Sequence, residues 1–62
     1  MNRHRYCIVH HNPHGPRRIA PFIVWAETEE LALAYARELV GAPLPGETAH
    51  ALYYPSSAML DA

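Results

Sequence analysis

The residues best able to do chemistry stand together near the N-terminus. In CIVHHNPHGPRR, residues 7–18, Cys7 is followed by His10, His11 and His14 and then by Arg17 and Arg18. Thiolate and imidazole are zinc ligands, and Cys7-x2-His10 with His14 could supply three donors, with His50 a distant fourth. Geometry argues otherwise. A tetrahedral site is usually built from two tight ligand pairs, whereas successive side chains on a strand point to opposite faces, so His10 and His11 cannot both reach one ion. Asn12-Pro13 prefers an extended or turn geometry that does little to fold His14 back. No metal is expected; if one bound, His10, His14 and Cys7 would hold it.

Nucleophilic chemistry is equally sparse. The chain has no G-x-S-x-G, no glycine-rich phosphate loop and no H-E-x-x-H. Cys7 near a histidine is half of a nucleophilic pair, but a cysteine inside a strand more often serves as a small apolar side chain. Thr28 with Glu29 and Glu30 reads as a helix cap. No catalytic residue, no cofactor and no enzymatic activity are expected.

The elements that position these residues follow from periodicity. Residues 5–11, RYCIVHH, are rich in β-branched and aromatic types and read as a first strand. Residues 12–17 hold two prolines and a glycine and read as a loop. Residues 18–26, RIAPFIVWA, read as a second strand; Pro21 lacks an N–H, so this strand should lie at an edge or begin after Pro21. In ETEELALAYARELVG, Thr28 caps a helix whose first turn carries Glu29 and Glu30, where the dipole favours negative charge. Leu31, Ala32, Tyr35, Ala36, Leu39 and Val40 form its apolar stripe. Gly41 suits the position after the last turn, and Pro43 prevents resumption. Residues 48–54, TAHALYY, read as a third strand stopped by Pro55, with a loose tail over 55–62.

The expected fold is α+β, a single domain over 1–62 with its ordered core at about 5–54. Its order is β-β-α-β: a three-stranded antiparallel sheet of strand order 2-1-3 with one helix on one face. This order places Pro21 on an edge and the proline-free first strand in the centre.

Composition narrows the function. The chain has 62 residues, half of them hydrophobic, a formal net charge of −1 and one cysteine, which excludes an internal disulfide. That balance gives no bulk attraction to nucleic acid and no acidic mimicry of DNA. The apolar run Tyr6 to Val9 is too short for a signal peptide, and no stretch approaches the ~20 apolar residues of a membrane helix. A cytoplasmic protein without membrane contact is expected.

Alternation on the strands leaves neither face polar. Tyr6, Ile8 and His10 oppose Cys7, Val9 and His11; Phe22, Val24 and Ala26 oppose Ile23 and Trp25; Ala49, Ala51 and Tyr53 oppose His50, Leu52 and Tyr54. One helix covers one face, so the other should present an apolar patch of the kind that marks interaction sites. Contact with a protein partner, or a homodimer, is expected. Tyr6, Trp25, Tyr53 and Tyr54 would be anchors and Arg5, Arg17 and Arg18 rim contacts, since Tyr, Trp and Arg dominate interface energy. Stacking of single-stranded nucleic acid on the sheet aromatics is the alternative. It lacks a K/R-G-F-G-F pattern, and its arginines stand at opposite ends of the hairpin, so direct nucleic-acid binding is not expected.

The stretch FIVWAETEELALAYAREL, a strand leading through an acidic cap into an alanine-rich helix, resembles short proteins encoded by phages and mobile elements. In length and element order, over about residues 5–54, the chain is similar to some single-domain anti-CRISPR proteins. That resemblance implies a non-enzymatic inhibitor that sterically blocks a host nucleoprotein complex. It transfers no functional residue.

Overall fold

The computed structural model of the chain describes residues 2–55. Its elements are β1 (His4–His11), β2 (Phe22–Ala26), α1 (Glu29–Val40) and β3 (Thr48–Tyr53), and the sheet order is β2-β1-β3 with both pairings antiparallel. The expected α+β architecture and strand order are those observed. β2 is shorter than 18–26: it begins immediately after Pro21, which could not have donated to a ladder. The tail expected to be loose lies, beyond Pro55, outside the described residues.

Local chemistry sets the helix ends. Thr28 is extended (φ −138°), and its hydroxyl accepts from the Leu31 amide at 3.1 Å. At the other end Gly41 takes φ 87° and ψ 171°, and its amide donates to the Arg37 carbonyl at 2.8 Å. Only glycine populates that region readily. A Cβ there would meet no atom within 4 Å, so the requirement comes from the backbone and not from space.

The core is a thin seam. Tyr6, Ile8, Val24, Ala26 and Ala51 from the sheet face Ala32 and Ala36 from α1, with Phe22, Leu31 and Leu33 at its margin. Ile8, at the centre of the middle strand, is completely buried. The helical stripe is buried only along its alanine centre. Tyr35 and Leu39, expected to face the core, are 41 % and 68 % exposed, because three short strands give too narrow a bed for the bulky parts of the stripe.

Two crossing points tie the molecule together. The Tyr54 amide donates to the Arg5 carbonyl at 2.8 Å and continues the β1–β3 ladder past Tyr53. At the far end the hairpin loop is joined to the α1–β3 connector by Arg18 and Glu47. Arg18 Nη2 lies 2.7 Å from Glu47 Oε1, and Arg18 Nε donates to Oε2 at 3.1 Å. The Leu44 amide also donates to Oε1, at 3.0 Å.

Candidate interaction face

The register determines which side chains share the face away from α1. Arg5 stands opposite Trp25; Cys7 lies between Ile23 and Leu52; Val9 faces His50. These residues alternate with the buried set Tyr6, Ile8 and His10, so they point away from the helix. Ile23, Trp25, Leu52 and Tyr54 remain 42–55 % exposed. Four large apolar side chains left open on one small sheet form a patch that a folded monomer would ordinarily cover.

Arg5 is the charge set within this patch. Its guanidinium carbon lies 5.5 Å from the Trp25 ring centroid and 5.6 Å from that of Tyr54, cation–π distances to both. Its Nε donates to the Tyr54 carbonyl at 3.4 Å. The rings hold the side chain in place, and its remaining N–H groups are available to an acceptor.

The other residues singled out by sequence are dispersed. Tyr6 belongs to the core, only 7 % exposed beneath α1, so it cannot be a contact anchor; the parity of β1 places it on the covered face with Ile8. Tyr53 lies on that same face at the sheet edge, exposed, edge-on to Tyr6 at 5.9 Å and to His4 at 5.6 Å. Arg17 is exposed in the hairpin loop, where it lines an open cavity of about 270 Å³ with His10, His11, Asn12 and Gly15. Arg18 is committed to Glu47. On the open face, the expected anchors Trp25 and Tyr54 come together around Arg5, which was expected at the rim.

Sequence reasoning did not single out Ile23 and Leu52, which stand exposed on the open face with Trp25 and Tyr54, and missed Glu47 altogether. The signal for the first two was present: Ala49 and Ala51 on β3 match Ala32 and Ala36 on α1 in size. Small residues on both sides mark the covered face, and parity then turns Leu52 outward.

Cys7, His10 and His14, the residues that would hold a metal, are not brought together. Cys7 lies on the open face, whereas His10 is 2 % exposed beneath the helix. Among the described residues no group of three His, Cys, Asp or Glu side chains converges. The His10 ring stacks near Phe22, with centroids 6.2 Å apart and planes 22° apart. Its buried Nδ1 has no hydrogen-bond partner among the described residues. Beside it lies a cavity of about 80 Å³ lined by Leu33, Ala36, Arg37, Gly41, Pro43 and Ala49.

Electrostatics are shaped by one pair. The hydrogen bonds from Arg18, joined by that from the Leu44 amide, hold the Glu47 carboxyl down at about 2; the same contact raises Arg18 above its ordinary value. This pair is structural and remote from the Trp25 end. No described helix is long and apolar enough to cross a membrane.

No known protein family, curated protein or solved structure matches the chain.

Proposed function

We propose that this chain is a small non-enzymatic binding module that docks on another protein through its open sheet face. One observation carries the reading: Trp25, Tyr54, Ile23 and Leu52 stand exposed around Arg5 on the face opposite the helix. Trp, Tyr and Arg are the side chains that dominate interface energies when desolvated at the centre of a contact. A guanidinium in an apolar patch calls for a carboxylate in return, because a buried charge without a partner is costly. The partner is therefore an apolar surface bearing an acidic side chain opposite Arg5. In the form implied by the resemblance to anti-CRISPR proteins, such docking blocks a nucleoprotein complex by occupying its working surface.

The test compares wild type with Trp25→Ser and Leu52→Glu in quantitative capture from cells and in target-binding assays of purified CRISPR effector complexes. The reading requires a protein partner held by wild type and released by both variants while their circular dichroism is unchanged. Capture that both variants retain in full would reject the face. Binding of a single-stranded oligonucleotide that weakens steeply with salt, lost in the same variants, would replace protein by nucleic acid as the ligand.

A further inference from the structure

The outer edge of β3 carries an inference that does not depend on the open face. The Tyr54-to-Arg5 bond makes Arg5 and Tyr54 a narrow pair of the antiparallel β1–β3 ladder. By the alternation of such ladders, Leu52, His50 and Thr48 also turn their backbone groups toward β1. Ala49, Ala51 and Tyr53 therefore turn their N–H and C=O groups outward, and no described residue hydrogen-bonds to them. An edge of this kind is ordinarily blunted by charge, proline or a bulge. Across Thr48–Tyr53 there is no Lys, Arg, Asp, Glu or Pro. The other edge is guarded: β2 has five residues and begins directly after Pro21.

We infer that β3 pairs antiparallel with β3 of a second copy about a two-fold axis at Ala51, giving a continuous six-stranded sheet. The register is determined by the edge itself. Centred on Ala51, the outward groups of Ala49, Ala51 and Tyr53 meet those of Tyr53, Ala51 and Ala49 in the second copy, three pairs that each exchange both bonds. Moving the centre one residue toward the N-terminus brings in Glu47, whose N–H already donates to the Leu44 carbonyl at 2.9 Å. Moving it one residue toward the C-terminus brings in Pro55, which has no N–H to give.

Side chains suit this register. Tyr53, 57 % exposed, lands beside Ala49 of the second copy, and Leu52, 55 % exposed, lands beside His50. Each protruding side chain meets a smaller or flatter one, and no like charges oppose. A second copy through the open face is less favourable, since the patch would have to bury two Arg5 side chains. The thin core supplies the drive: among the described residues, four of the seven buried apolar side chains are alanine, and small domains of this kind commonly gain stability by association. The helices of both copies fall on the same side, so the open faces of both lie side by side on the other.

Sedimentation of the full chain tests association, and amide hydrogen exchange locates it. A particle of twice 7.0 kDa is expected at high concentration. The amides of Ala49, Ala51 and Tyr53 should be protected there and lose at least tenfold in protection on dilution, while the inward amides of His50 and Leu52 change less. Ala49→Pro removes an outward N–H without breaking a bond to β1, so it should yield a folded monomer. Should that variant fail to fold, His50→Cys with Leu52→Cys in a Cys7→Ser background gives the answer instead: both positions are exposed, and the axis at residue 51 sets each new thiol opposite the other position of the second copy, within disulfide reach. A 7.0 kDa species at every concentration overturns the inference, as does a dimer in which those three amides stay unprotected. Neither result touches the open face, whose test reads partner binding.

Discussion

Arg18 and Glu47, separated by 29 positions, meet in a two-pronged ion pair at 2.7 and 3.1 Å that joins the hairpin loop to the segment leading into β3. The Glu47 side chain is only 3 % exposed, and a backbone amide completes its shell. The pair closes the end of the molecule opposite Trp25, which leaves the open face free of structural duty.

Stability should therefore fall in acid. Glu47 titrates at about 2 in the folded chain against an ordinary 4.5. A carboxyl whose pKa is lowered by folding contributes fully above its unfolded value and loses that contribution as pH falls from 4.5 toward 2. Thermal melts across this window should show a steeper decline for wild type than for Glu47→Gln, which starts lower near neutrality. Parallel profiles would remove Glu47 as the source.

The helix ends give two separable costs. Thr28→Ala removes the hydroxyl that accepts from Leu31 and should cost about 1 kcal/mol. Gly41→Ala has room for its methyl but must adopt a glycine-only conformation, a cost of about 1–3 kcal/mol. Urea denaturation at neutral pH reads both, and a neutral Gly41→Ala would mean that α1 ends differently.

Inside and outside should separate sharply along neighbouring strands. Ile8→Ala opens a cavity at the centre of the sheet and should cost about 2–5 kcal/mol. Trp25→Ser, on the exposed face, should change stability by no more than about 1 kcal/mol, chiefly through loss of the Arg5 contact. Equal losses in both would show that the Trp25 face is packed in solution.

His10 offers a substitution that should stabilise. A buried polar atom without a partner costs about 1–3 kcal/mol, and a shape-matched apolar side chain removes that cost. His10→Leu should therefore raise the urea midpoint. A fall in midpoint would show that the imidazole makes a bond worth more than its desolvation.

The sequence disclosed the framework because the framework is local. Thr28, Gly41 and Pro43 mark the helix within a few residues of its ends, and Pro21 with the apolar first strand is enough to set the order β2-β1-β3. The choice of face was hidden because both sides of every strand carry apolar residues; only the pairing of alanines on α1 and β3 separates them. Tyr6 and Trp25 look alike as aromatic strand residues, yet parity puts one in the core and the other on the open face. Glu47 could not be read at all: its partner is 29 residues away, and nothing in the spacing of either residue signals the other.

The seam between helix and sheet consists largely of methyl groups, Ala32 and Ala36 meeting Ala51. Such a joint has no slack: any larger side chain there must lift the helix off its bed. Side chains directed away from the helix carry no comparable constraint, since nothing inside depends on their shape. The molecule is thus partitioned into an interior that dictates its own residues and an outer surface whose side chains could be exchanged without disturbing the frame.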